Sequence, residues 1–174
     1  MPSPGKHWYH IILNTNGSWL PGDPRGFRSR KGKKHSSGDY KNPPPEGEHA
    51  GLHRYARQVS GEPVFLRPSL RPVIGQSILR KIKQQMHTAL VICVGSNHAH
   101  ILCELPGGRA TVKRIAGAWK QAASHKVRME LPGKVWAAGG DPIPIKDKAH
   151  QRRVYEYILR HKKQGAWVWS FRDG

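Results

Sequence analysis

Two histidines one residue apart, His98 and His100, open the apolar run "HAHILCEL" at 98–105. On a strand, alternate side chains share a face, so both imidazoles should point the same way and Ala99 the other. Imidazole is a common ligand for divalent transition metals. With 11 histidines in 174 residues, an H-x-H arises by chance about 0.7 times, so the pair alone is weak evidence. Its placement says more, because it follows the turn-forming "GSN", and strand ends are where a rigid element can present ligands. A second chemical pair lies far downstream. Tyr157 and His161 are four residues apart in a helical segment and so share one face. A phenol there could serve as nucleophile and the imidazole as a further metal ligand. Tyr157 could instead simply pack, with Val154 and Ile158, against the sheet, and Tyr155 competes for the first role from a different side.

The charge of the whole chain suggests what such a site would meet. Lys and Arg number 30 against 11 Asp and Glu, a net charge of +19. That excess points to a polyanionic partner, nucleic acid first. One basic cluster holds Arg28, Arg30, Lys31, Lys33 and Lys34. The other holds Arg152, Arg153, Arg160, Lys162 and Lys163, and it flanks Tyr157 and His161. A phosphodiester drawn to the second cluster would lie beside both. Trp19, Trp136, Trp167 and Trp169 could stack unpaired bases or pack in the core. A membrane surface is a poorer partner. The run "ALVICV" is far shorter than the ~20 residues of a bilayer span, and "MPSPGKHWYHIILN" lacks the pattern of a signal peptide. Cys93 and Cys103 sit in consecutive apolar runs with no CxxC, as expected of two buried thiols in a cytoplasmic protein.

Positioning these residues falls to a small set of elements. "HWYHIILN" (7–14) reads as a first strand. Residues 15–65 are rich in Gly, Pro and charge, with little periodicity, and read as an irregular insertion within one domain spanning 1–174. A helix is predicted at 69–87, from Leu70, Ile74, Ile78 and Ile82 at spacing four. Residues 89–105 read as a hairpin whose Gly95 and Asn97 supply positive φ. Helices follow at 111–128 and 146–165, the last closed by Gly165, with a short strand between them at 134–137. The apolar "AWVWSF" should pack back on the core. The order predicts an α+β fold, a small antiparallel sheet with helices on one side.

Taken together, these residues resemble the HUH single-tyrosine transposases, which include the small insertion-sequence transposases and the REP-associated tyrosine transposases. The histidine–hydrophobic–histidine signature of that family is matched by "HAH" at 98–100, and "YILRHKKQGAWV" is similar to its late tyrosine segment. That segment selects Tyr157 over Tyr155, and His161 falls where some members carry a third ligand. "TNGSWLPGDPRGF" is similar to a segment of a bacterial, transposase-like branch. The likeness covers about 7–27 and 66–170, and it lacks the "NPV" common after the tyrosine in relatives.

The resemblance implies a ferredoxin-like fold and a transposase-like, HUH endonuclease domain. It implies metal-dependent cleavage of single-stranded or hairpin DNA in DNA transposition and recombination, in the bacterial cytoplasm with the nucleoid. Tyr157 would form a 5′-phosphotyrosine, and His98, His100 and His161 would hold Mg or Mn. By ligand softness, an all-imidazole set suits Mn, Zn or Ni better than Mg. Relatives act as homodimers or as monomers. Two rival readings are a domesticated, non-catalytic nucleic-acid-binding protein of the same fold, and a basic RNA-binding protein. A two-histidine phosphoesterase would need two separate His-x-Ser/Thr motifs, which the chain does not supply.

Overall fold

The computed structural model describes residues 2–27, 35–38, 41–140 and 142–173. Arg28, Arg30, Lys31, Lys33 and Lys34, expected to contact nucleic acid, lie outside the described residues. The chain divides into two compact units, one of residues up to Thr15 with Phe65 onward, the other of Asn16–Val64.

In the larger unit the elements are β1 (Lys6–Asn14), α2 (Leu70–Gln84), β2 (Thr88–Val94), β3 (His98–Pro106), α3 (Arg109–Lys126), β4 (Ile143–Pro144), α4 (Lys148–Arg160), a 3-10 turn (His161–Gln164) and β5 (Trp167–Ser170); α1 (Ala50–Ser60) belongs to the smaller unit. The strands form one antiparallel sheet in the order β4-β1-β3-β2-β5. The first four strands with α2 and α3 follow the β-α-β-β-α-β order of a ferredoxin-like unit. β5 extends the edge beside β2, so the tail packs back as expected.

Alternation gives the sheet two buried faces. Ile11, Ile101 and Ile92 align across three strands and are fully buried. Trp167, opposite Val94, belongs to that face and packs against Gly75 of α2. α2 and α3 pack on each other, and their apolar stripes bury Ile74, Ile78 and Ile82 on one and Val112, Ile115 and Trp119 on the other. The opposite face carries Val91, Cys93 and Leu102, which form a core cluster with Val154, Tyr155 and Ile158 of α4. The expectation of helices on one side is therefore corrected, because α4 covers the second face. The reason lies in β2 and β3, which are buried along nearly their whole length. A strand buried on both faces needs cover on both.

Three further expectations change. α1 occupies Ala50–Ser60, where the sequence reads as irregular chain. It buries only Ala56, so its apolar stripe is thin. The strand predicted at 134–137 shrinks to a single bridge between Thr15 and Trp136, and the paired segment lies later, at Ile143–Pro144. The turn at 95–97 closes through Gly95 N–H donating to the His98 carbonyl (2.8 Å), and neither Gly95 nor Asn97 takes a positive φ. Gly165, by contrast, does adopt the left-handed conformation that ends the last helical turn (φ 77°). Cys93 and Cys103 are both buried and free. Among the described residues, no helix is long and apolar enough to cross a membrane.

Candidate metal centre with a tyrosine

The site lies on the α4 face of the sheet. His98 and His100 are two residues apart at the start of β3 and so project to the same side. Asp147 starts α4 by accepting the His150 N–H through its carboxylate (2.7 Å), an N-cap that fixes where the helix begins. From there Val154 and Ile158 anchor one stripe on the sheet, and Tyr157 and His161 fall beside it. Burial of Ile158 thus sets the height at which tyrosine and histidine meet β3.

The structure brings all four residues together. The potential ligand atoms of His98, His100 and His161 lie within 4.8 Å of one another, a group that could hold a metal ion. The Tyr157 ring centroid lies 4.9 Å from that of His161 and 5.3 Å from that of His100. Tyr157 is 42% exposed, so its ring is reachable from solvent while the imidazoles sit beneath it. Tyr155 points elsewhere; it is buried, and its hydroxyl pairs with Ser170 Oγ at 2.7 Å.

Each imidazole is oriented through Nδ1. His98 Nδ1 meets Asn97 Oδ1 at 2.7 Å, and His161 Nδ1 meets Gln164 Oε1 at 3.1 Å. An amide oxygen only accepts, so both histidines carry their proton on Nδ1 and turn a bare Nε2 lone pair inward. Those two Nε2 atoms are buried and have no hydrogen-bond partner among the described residues. Orphaned, convergent lone pairs are what a cation would satisfy, and ligating histidines are usually held this way through the second ring nitrogen. His100 Nδ1 meets His10 Nε2 at 2.9 Å.

Electrostatics keep the cluster neutral. Burial first, then the neighbouring His98, His10 and His161, push His100 down to about 2. Burial, with His150 and His161, lowers His10 to about 4. Burial also lowers His98 and His161. Neutral imidazole is the form that binds metal.

Arg152, Arg153, Arg160, Lys162 and Lys163 are all exposed. None is within ion-pair distance of a carboxylate among the described residues. Arg153 and Arg160 stand four residues before and three after Tyr157, on the same helix face. The tryptophans divide. Trp136 is buried and Trp167 packs on α2, while Lys83 lies 5.9 Å from the Trp169 ring. In the smaller unit Trp19 is 45% exposed and carries the Arg25 guanidinium over its ring at 4.4 Å.

Sequence reading missed His10, Asn97 and Gln164. His10 had one available signal, its place on a strand among residues that bury both faces. Asn97 and Gln164 become informative only once the rings they orient are known.

No family model matches the chain, and no curated protein matches it. Among solved structures, that of a REP-associated tyrosine transposase bound to a REP hairpin is similar at 14% identity, covering 95% of this chain and 72% of that one, with a TM-score of 0.49. A likeness at that score establishes neither a common fold nor a common activity.

Proposed function

We propose that the chain is a metal-dependent, site-specific single-stranded DNA endonuclease and strand transferase of the HUH transposase type. One observation carries the reading. A partly exposed tyrosine stands within 4.9 and 5.3 Å, ring to ring, of two histidines in a three-imidazole cluster with convergent lone pairs. The exposed cations of α4 and the net charge of +19 support a polyanionic substrate.

His98, His100 and His161 would hold a divalent cation, which when bound polarises a phosphoryl oxygen. All-imidazole donors favour Mn, Zn or Ni over Mg. The chain's own residues do the rest. Arg153 and Arg160 draw the strand against the Tyr157 face of α4. The Tyr157 oxygen attacks phosphorus, a P–O bond to tyrosine forms and the P–O3′ bond breaks. The phenolic proton is lost to solvent, and the departing 3′ oxygen takes one up. The product is a 5′-phosphotyrosine and a free 3′-OH. Because one ester replaces another, attack by a different 3′-OH reverses the step and joins strands without ATP. Both halves of the site lie in one chain, which supports a tyrosine acting in cis.

The test is incubation of the full chain with hairpin oligonucleotides and Mn²⁺, followed by denaturing electrophoresis. Wild type should form a covalent protein–DNA adduct, and Tyr157→Phe should form none while still binding Mn²⁺. Adduct formation by Tyr157→Phe at the wild-type level would sink the assignment. Binding of DNA with no adduct from either protein would favour a non-catalytic relative.

A further inference from the structure

A second feature of the same unit lies outside the metal cluster. A cavity of about 940 Å³ opens between the N-terminal turns of α4, Trp8 of β1 and the segment after β5. Four cations line it, Lys148, Arg152, Arg153 and Arg172, with no acidic residue in the lining among the described residues. Aromatic surface lines it too, from Trp8, Tyr155 and Phe171. Phe171 is 46% exposed there, so its ring is open to a ligand.

The wall is rigid. Phe171 N–H donates to the Leu90 carbonyl at 2.9 Å, tying the segment to β2. Arg172 N–H donates to Ser170 Oγ at 3.1 Å, and the Asp173 carboxylate accepts the Ser170 N–H at 2.9 Å. The Arg172 guanidinium lies 5.4 Å from the Tyr155 ring centroid and 5.6 Å from that of Phe171. Planar apolar surface beside a held guanidinium, with further cations at the rim, matches a nucleotide: base on the rings, phosphate on the cations. An acidic peptide would use the cations but has no need of the aromatic floor.

We infer that this cavity binds one unpaired nucleotide of the strand being processed, held by stacking on Phe171 and charge from Arg172 and Lys148. The inference rests on the proposed DNA activity and adds a subsite to it. Arg153 lines the cavity and sits four residues before Tyr157, about 6 Å along the helix axis. The cavity therefore lies within a few nucleotide steps of the phosphodiester that Tyr157 would attack. It recognises a base by its face, so it selects for an unpaired nucleotide rather than for sequence.

The experiment uses the full chain, a fluorescent single-stranded oligonucleotide that forms the adduct, and a set of the same oligonucleotide with one abasic site moved along it. Binding is read by anisotropy and adduct formation at saturating DNA by electrophoresis. Wild type should lose about ten- to hundred-fold in affinity at one abasic position near the cleavage site. Phe171→Ala should lose a similar factor on the intact strand and be indifferent to the abasic site at that position. Arg172→Ala should weaken binding and reduce its salt dependence. Wild-type affinity in both variants, with wild type still forming adduct, overturns the subsite alone. Failure of wild type to bind or react with any strand overturns the DNA reading and the subsite with it.

Discussion

His10 Nε2 lies 2.9 Å from His100 Nδ1, and both rings are buried. The contact follows from register. His10 sits opposite Leu102 on β3, so His100 is its diagonal neighbour on the same face. For His100 to present Nε2 to a cation, its Nδ1 must carry the proton and donate it to His10. His10 then acts as a positioning residue that fixes the tautomer of His100. His10→Ala should lower Mn²⁺ affinity by about ten- to hundred-fold, the usual effect of losing such a partner. His10→Gln, whose side-chain oxygen can accept the same proton, should recover part of it. Isothermal titration with circular dichroism as a folding control measures this; equal affinity in His10→Ala and wild type would return His10 to plain packing.

The two tyrosines of α4 separate by function. Tyr155→Phe removes the hydrogen bond to Ser170 Oγ, buried beneath the segment after β5. It should cost about 0.5–1.5 kcal/mol of stability and leave adduct formation intact. Tyr157→Phe should do the reverse, since its ring is 42% exposed. Denaturant unfolding of both variants beside the adduct assay reads out the pair. A stable Tyr155→Phe that has lost the adduct would exchange their roles.

Much of the site was legible because it depends on local spacing. His98 and His100 share a face by strand alternation, and Tyr157 and His161 by the helical repeat, whatever the rest of the chain does. What joins the two pairs is tertiary, and the choice of Tyr157 over Tyr155 came from a resemblance rather than from periodicity. The side of the sheet taken by α4 was not legible. Its stripe of Val154 and Ile158 fits either face, and only the double-sided burial of β2 and β3 decides. Ala56 is the lone buried residue of α1, too faint a signal to stand out among glycines, prolines and charges. The strand read at 134–137 failed because Val135 and Trp136 are buried with only one bridge, so apolar pattern outran pairing.

Gly75 of α2 shows how closely that helix approaches β5. A Cβ there would fall 1.9 Å from an atom of the Trp167 ring, a distance no packed structure tolerates. Helix propensity alone would favour alanine. Gly75→Ala should nevertheless destabilise the protein by about 1–3 kcal/mol through overpacking. Paired with Trp167→Leu, which removes the ring, the same substitution should cost much less. A double-mutant cycle of thermal unfolding gives the coupling; additive effects would mean the helix and the ring do not meet.

The buried imidazoles make stability depend on pH in a definite direction. His10 is lowered to about 4 and His100 to about 2, chiefly by burial, against an ordinary value near 6.5. Between those values and about 6.5 the unfolded chain binds protons that the folded chain refuses. Stability is therefore full above about pH 6.5 and falls as the pH drops through the window below it. Carboxylates release or take protons mainly below about pH 5, so the interval from about 6.5 to 5 isolates the histidines. Metal-free protein should melt at a lower temperature at about pH 5 than at about pH 7. His10→Gln/His100→Gln should flatten that dependence. The comparison needs no activity, only thermal unfolding of both proteins in a chelator. An unchanged slope in the double variant would mean that other groups carry the protons, and that burial does not hold His10 and His100 neutral.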